Sequence, residues 1–269
     1  ARAAESASAD ELAKREGRVI TAEDRAYWAF VRPVRPGVPA VSLPAWRQNP
    51  IDAFVLAAME EKGLKPSPRA DRRTLIRRLY LDVLGLPPTP DEIAAFASDT
   101  SAGSWPRLVD HVLASPHYGE RWARHWMDLV RYADSGGFEF DVDRPEMYRY
   151  RDYLVDSFNR DKPYDRFVME QLAGDEIAPG SDEALIATGF LRLGPEGGGN
   201  RLDALDDLVT TTSLTFMGMT VGCARCHNHK FDPIAQKDYY RMQAVFTSTQ
   251  AVEHPLAPAD EVAASRRER

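Results

Sequence analysis

From residue 49 onward the sequence repeats one local pattern, in which a capping residue precedes apolar side chains spaced three and four apart, and a glycine or proline follows. Asn49 and Pro50 are typical of the first positions of a helix. Ile51 and Val55 begin the apolar stripe, and Gly63 is typical of the position just after a helix. Because the alternation that marks strands is nearly absent, the sequence predicts an all-α, irregular multi-helix domain with long loops.

Eight further segments carry the same signals. They predict helices at residues 74–84, 89–96, 104–113, 118–132, 148–158, 165–172, 204–216 and 237–246. Irregular loops are predicted at residues 134–144, which are rich in Gly and Asp, and at the three glycines of residues 197–199.

Composition divides the chain into three parts. Residues 1–48 have a polar opening and then four prolines between residues 33 and 44, which predicts an extended proline-rich N-terminal arm, because proline fixes φ and removes a backbone donor. Trp28, Phe30 and Trp46 are expected to pack this arm onto the domain. Residues 49–250 form the predicted helical domain, and residues 251–269, which are polar, form a predicted mobile tail.

Charge and hydropathy argue against two kinds of partner. The net charge of −7 and the pI near 5.5 argue against nucleic acid, because nucleic-acid-binding proteins concentrate Lys and Arg on one face. No run of about 18 apolar residues occurs, so no transmembrane segment is expected. The N-terminus has no apolar signal core, and we therefore expect that a leader has been removed or that the chain was excised from a longer one.

The only two cysteines lie in the sequence C-A-R-C-H at residues 223–227. Two thiols three positions apart can reach the two vinyl groups of one porphyrin, and the next residue can present an imidazole to the iron. The motif therefore predicts one covalently attached haem c, with Cys223 and Cys226 as the attachment points and His227 as an axial ligand.

Other kinds of site share part of this motif. A zinc site would use Cys223, Cys226, His227 or His229, and His125. It is the weaker interpretation, because no second pair at zinc-type spacing supplies an evident tetrahedron. A plain redox dithiol is a further interpretation, whereas two buried structural cysteines would not explain the adjacent histidine.

Two neighbours of the motif are expected to lie close to the haem. His229 cannot supply the second axial bond, because it follows His227 by two residues and the sixth position is on the opposite face of the porphyrin. It is interpreted as a cofactor-binding group that hydrogen-bonds a haem propionate, with Lys230 as a charge partner, or as part of a solvated turn. The helix at residues 237–246 is expected to pack near the haem edge, and core packing is the plainer role for Met242.

The sixth position of the iron has several candidates. The preferred one is the metal ligand His125, which the pattern of residues 118–132 places on the apolar face of a helix between Trp122 and Leu129. An imidazole that points into an aromatic core needs a polar partner or a metal, and a hydrogen bond to a backbone carbonyl is the plainer alternative. The other candidates are His117, His111, Met217, Met219, Met242, or no protein group.

The loop at residues 134–144 concentrates carboxylates of the sort that bind calcium. They are Asp134, Glu139, Asp141 and Asp143. Their spacing does not follow an EF-hand, so an ordinary solvated loop is favoured. Arg131 lies at helical spacings from Asp128 and Asp134, which predicts an ion pair. No hydrolase motif supplies a nucleophile or a base.

Segments along most of the chain resemble one family. They are W-A-F at 28–30, N-P-I-D at 49–52, K-P-S-P at 65–68, G-L-P-P-T-P at 85–90, Y-G-E-R-W at 118–122, H-W at 125–126, R-Y-A-D-S at 131–135, Q-L-A-G-D at 171–175, A-T-G-F at 187–190, residues 222–233, and D-Y-Y at 238–240. The sequence resembles the planctomycete-type cytochrome c domain, a helical domain that ends in a C-x-x-C-H segment. The resemblance implies cytochrome chemistry within longer secreted chains that continue into a second large domain.

The preferred function is that of a mono-haem c-type cytochrome domain, which transfers single electrons and is more an electron-transfer protein than a stand-alone enzyme. Because a covalent haem c is attached beyond the cytoplasmic membrane, a periplasmic or cell-surface location is expected. The expected partner is a redox protein, or a further domain or subunit of the same system. The alternatives are a haem enzyme with an open sixth position that acts on peroxide or a substrate, and a metal-stabilised binding module of a secreted polysaccharide-processing system.

Overall fold

A computed structural model describes residues 21–137, 141–194, 200–252, 254–257 and 259–268. Within these ranges the secondary structure is helical, and the only β-type pairing is an isolated bridge between Ser135 and Asp143. The predicted all-α, irregular multi-helix fold is therefore confirmed. None of the helices described there is long and apolar enough to cross a bilayer.

The helices are labelled here in chain order. They are α1 (Ala22–Ala26), α2 (Pro50–Glu61), α3 (Arg72–Val83), α4 (Pro90–Ser98), α5 (Ser104–Leu113), α6 (His117–Val130), α7 (Tyr148–Asn159), α8 (Tyr164–Ile177), α9 (Asp182–Ala187), α10 (Arg201–Met217), α11 (Gln236–Phe246) and α12 (Ala259–Glu268). Short 3-10 helices span Trp28–Phe30, Pro44–Trp46, Thr188–Arg192 and Val221–Arg225.

All nine predicted helices are present as α2–α8, α10 and α11, and side-chain caps explain where several of them begin. Asn49 and Thr89 each form a capping box with an acidic residue three positions later. The carboxylate of Asp71 accepts from the backbone N–H of Thr74, so α3 starts two residues before the predicted position. Helix α9 was not predicted.

Three groups of buried side chains hold the helices together. The first joins α3, α4 and α5 around Ile76 and Phe96. The second is the largest, and in it Trp126 of α6 contacts the rings of Phe167 on α8 and Phe216 on α10. The third joins α10, α11 and the 3-10 helix Val221–Arg225, and this group positions the cysteine motif.

The aromatic side chains of the N-terminal arm are not buried against the domain as predicted, although Ser42 of the arm donates to the carboxylate of Glu60 on α2. Trp28 is 77% exposed, and Phe30 and Trp46 are also exposed. The ring of Tyr27 contacts the rings of Trp28 and Phe30, so these aromatic side chains pack locally with each other. In the 251–269 segment the structure contains α12, and the predicted mobility of that segment stays a prediction.

Gly174 marks the closest approach of α8 to α9, and its replacement tests this packing. A Cβ atom at Gly174 would collide with the backbone carbonyl of Ala184, which cannot rotate away. We expect Gly174→Ala to lower the free energy of unfolding by about 3 kcal/mol, measured by urea denaturation, because the two helices must separate. Gly37→Ala is the control, since a Cβ there meets no atom within 4 Å. Equal effects of the two substitutions would contradict the close approach.

Candidate functional site

The geometry of a 3-10 helix sorts the residues of the cysteine motif into an inner and an outer set. Side chains three positions apart lie on the same side of such a helix. Val221 and Ala224 are buried against α10 and α11, whereas Cys223 and Cys226 are exposed and are not joined in a disulfide. The fold therefore presents both thiols on one outward-facing side of a segment whose other side is fixed in the core.

Arg225, between the two cysteines, ties the motif to α10. Its guanidinium donates to the carboxylate of Asp203 at 2.9 Å and to that of Asp206 at 3.0 Å. These carboxylates raise the pKa of Arg225 above its ordinary value, with the hydrogen bond to Asp203 as the largest cause. The carbonyl of Arg225 accepts from Gln236 Nε2 and Tyr240 Oη of α11. Both the side chain and the backbone of the residue between the thiols are thus held in place.

The ring of His227 is exposed and oriented by its own backbone. Its Nδ1 lies 2.7 Å from the carbonyl oxygen of Asn228. A carbonyl can only accept, so Nδ1 carries the proton, and in the neutral ring the lone pair is then on Nε2. No residue of the described ranges hydrogen-bonds this Nε2. His227 therefore offers a free imidazole lone pair one residue after the second thiol.

His229 is buried, and both of its ring nitrogens have partners. Nδ1 accepts from the backbone N–H groups of Phe231, at 3.2 Å, and Asp232, at 2.8 Å. Nε2 consequently carries the proton and donates to Thr220 Oγ1 at 2.9 Å. His229 closes the turn behind the motif in this structure, and its hydrogen bond to a propionate stays a prediction. Lys230 lies over the Phe231 ring.

The predicted burial of His125 is wrong. Helix α6 buries Ala123, Trp126 and Val130, whereas His125 is exposed and packs edge-on against the half-exposed ring of Trp122. Because His125 is exposed, its imidazole does not need a metal or a buried polar partner. The structure does not bring His125 to the cysteine motif, and its role as an axial ligand stays a prediction.

The other candidates for the sixth position differ in what surrounds them. His111 is exposed at the end of α5, and His117 pairs with Glu120 at 2.8 Å. Met219 and Met242 are half-buried against the third core group, which confirms core packing for Met242 and the predicted helix around it. Met217, at the end of α10, is 54% exposed.

The acidic loop and its neighbouring arginine form different pairs from those predicted. Arg131 ends α6 with a φ of 60° and binds Asp207 of α10 at 2.6 and 2.9 Å, so the predicted pairs with Asp128 and Asp134 are wrong. Asp134 instead accepts from Tyr132 Oη. Glu139 lies outside the described residues. In the described part of the chain no three His, Cys, Asp or Glu side chains are arranged to hold a metal ion, which includes the set proposed for zinc.

Sequence reasoning did not find the polar network behind the motif. Tyr239 of α11 is fully buried, donates to Asp206 Oδ1 at 2.6 Å and accepts from Gln243. Burial and this carboxylate raise the pKa of its phenol. Asp206 thereby links Tyr239 to Arg225. The pair Asp206 and Tyr239 is separated by 33 positions, so no local pattern indicates it.

The network is tested by removing one hydroxyl. We expect Tyr239→Phe to lower the free energy of unfolding by about 2 kcal/mol, because it removes a buried hydrogen bond to a carboxylate. The control is Tyr164→Phe, since the Tyr164 side chain is 60% exposed at the start of α8, and this substitution should change stability by less than about 0.5 kcal/mol. Chemical denaturation measures both. If Tyr239→Phe is as mild as the control, the network does not hold the motif.

Comparison with models of protein families gives a match over most of the chain. Residues 50–251 match the model of a family described as PSCyt2, a protein of unknown function (DUF1549). The matched range contains α2–α11 and the cysteine motif. Searches of curated proteins and of solved structures each gave no match.

Proposed function

We propose that this chain, which belongs to the PSCyt2 family of proteins of unknown function, carries one covalently attached haem c and transfers single electrons outside the cytoplasm. The observation that carries the proposal is the C-x-x-C-H segment, in which two exposed thiols and an exposed imidazole with a free Nε2 lie on the 3-10 helix Val221–Arg225 or within two residues of its end.

The donor set fits the attachment chemistry of haem c. Each thioether forms when a thiol S–H adds across one vinyl C=C, so the sulfur bonds to one carbon and the hydrogen goes to the other. This reaction needs reduced thiols, and Cys223 and Cys226 are both free. A zinc site would need two further ligands beside the thiols, and no such group is assembled in the described residues.

The chain's own residues have distinct roles in the proposal. Cys223 and Cys226 hold the porphyrin, and His227 binds the iron through Nε2. The carbonyl of Asn228 fixes the tautomer of that ring, as backbone and carboxylate acceptors do for metal-bound histidines in general. Arg225 keeps the segment on α10. When bound, the haem supplies the one-electron couple.

The location follows from the proposed cofactor, because covalent haem c is attached beyond the cytoplasmic membrane, and the acidic composition agrees with it. We place the protein in the periplasm or at the cell surface. Its partner is a redox protein or a further domain or subunit of the same system.

The absorption spectrum of protein produced in a host that attaches haem c tests the proposal. The expected result is a c-type spectrum in the reduced protein and one haem per chain, with the haem retained after denaturing electrophoresis. A colourless protein with free thiols would overturn the proposal, and one zinc ion per chain in its place would establish the metal-site alternative.

A further inference from the structure

One face of α10 is acidic near the start of the helix and apolar near its end. Near the start of the helix, Asp203 and Asp206 bind Arg225 of the cysteine motif. One turn later Thr210 lies against the backbone of the same segment. Four and seven residues after Thr210 come Leu214, which is 52% exposed, and Met217, which is 54% exposed. Residues at these spacings share one side of a helix, so an exposed apolar strip continues from the part that the motif covers.

The backbone of the motif ends where this strip begins. A Cβ atom at Gly222 would collide with Thr210 Oγ1, so the residue just before Cys223 lies directly on α10. The chain reaches this point by reversing at Gly218, whose φ is 63°, and the N–H of Met219 donates back to the carbonyl of Ser213. Cys223 is consequently anchored beside Thr210, with Leu214 and Met217 further along the same helix.

The length of the strip suits a tethered planar ligand. Seven residues of α-helix rise about 10 Å, which is close to the width of a porphyrin. Leu214 would pack under the ring, and because side chains of a helix lean toward its N-terminus, the flexible thioether of Met217 would turn back toward the ring centre. A thioether is also a soft donor of the kind that binds haem iron.

The other candidates for the sixth position lack this combination. Met219 and Met242 are held against the third core group, and His117 is paired with Glu120. His111 and His125 lie on α5 and α6, and the ring of His125 packs against Trp122 of its own helix. Met217 alone among the candidates is largely exposed and lies on the helix that the motif touches.

We infer that the haem attached at Cys223 and Cys226 lies over the Leu214–Met217 strip of α10, and that Met217 supplies the sixth ligand through its sulfur. The inference rests on the proposed function, since it needs the covalent haem. It assigns the iron a histidine and a methionine, a pair that raises the reduction potential and favours an electron carrier over a peroxide-binding enzyme.

Spectroscopy of haem-loaded protein tests the ligand. The oxidised parent should show the weak far-red band of sulfur-bound iron, and its reduced form should not bind carbon monoxide. Met217→Leu should lose the band and bind carbon monoxide, whereas Met217→His should keep a low-spin spectrum with a lower potential. Met169→Leu is the control, because Met169 is 45% exposed on α8 and should change neither property.

A second measurement tests whether the haem covers the Leu214–Met217 strip. In haem-loaded protein, Leu214→Asn should lower the denaturation midpoint more than Leu202→Asn does. Leu202 is a suitable control because its side chain is 58% exposed on the same helix. In the variant that lacks both cysteines the two substitutions should have equal effects. Equal effects in the haem-loaded protein would contradict the covering.

The outcomes distinguish failure of the ligand assignment from failure of the proposed function. A far-red band that survives in Met217→Leu, with the haem still covalently attached, would overturn the ligand assignment and leave the proposed function standing. A parent protein without covalent haem would overturn both.

Discussion

Replacement of Cys223 and Cys226 by alanine is expected to remove all covalently bound haem while the helical fold remains. Both side chains are exposed and make no disulfide, so the substitutions should change the free energy of unfolding of the haem-free protein by less than about 0.5 kcal/mol. Val221 and Ala224, which fix the segment in the core, are unchanged in this variant. The loss of haem should therefore be complete and should not come from unfolding.

The measurement is a haem stain after denaturing electrophoresis, combined with far-ultraviolet circular dichroism of the native protein. The matched control is His227→Leu, which removes the proposed axial bond and keeps both thiols. It should retain the stain and change the absorption spectrum, because attachment and iron ligation use different atoms. A stain that persists in the double cysteine variant would show that the haem is not held by thioether bonds.

The helices were predictable because their signals are local. Caps such as Asn49 and Thr89, together with apolar spacing, lie within the helix that they specify. Helix α9 carries a cap as well, since Ser181 accepts from the backbone N–H of Ala184, but its six residues are too few to display a period. Ala184 of this helix packs closely against Gly174 of α8, and this contact lies outside any local pattern.

The orientation of α6 was not predictable from its own sequence. Trp122 and Leu129 form one apolar stripe on this helix, and Trp126 and Val130 form another that is rotated by about 70° around the helix axis. Both stripes satisfy the same period. The stripe that contains Trp126 is the buried one, because Phe167 and Phe216 of other helices pack against Trp126. His125 was assigned to the wrong side for this reason.

The candidate site likewise has a part that the sequence predicts and a part that it does not. The order of thiols and imidazole in the motif is a local property, and the sequence alone identifies it. The partners that hold the motif are distant in sequence, because Arg225 binds Asp203 and Asp206 on a helix some twenty positions earlier. The strip of α10 that carries Met217 is likewise recognisable only after the chain has reversed at Gly218.

Gln171 is the polar centre of the largest core group, and its replacement is expected to have the greatest effect on stability. The side chain is fully buried. Its Oε1 accepts from Trp126 Nε1 at 3.0 Å and from Tyr150 Oη at 2.6 Å, and its Nε2 donates to the carbonyl of Phe167 at 3.0 Å. One amide thus satisfies two buried donors from α6 and α7 and fixes itself to its own helix.

We expect Gln171→Leu to lower the free energy of unfolding by about 4 kcal/mol, measured by urea denaturation. Leucine has a similar volume, so the loss comes from two buried donors left without an acceptor, each costing about 1–3 kcal/mol. Gln250→Leu is the control, because Gln250 is exposed and should change stability by less than about 0.5 kcal/mol.

A second substitution distinguishes unsatisfied donors from a packing defect. Tyr150→Phe removes one of the two donors that Gln171 satisfies. If unpaired donors cause the loss, the double variant Gln171→Leu with Tyr150→Phe should be less destabilised than the sum of the two single variants, because removing both partners of a buried hydrogen bond is nearly neutral. If the effects of the two substitutions simply add, the loss comes from altered packing, and the amide is not the centre that joins α6 to α7.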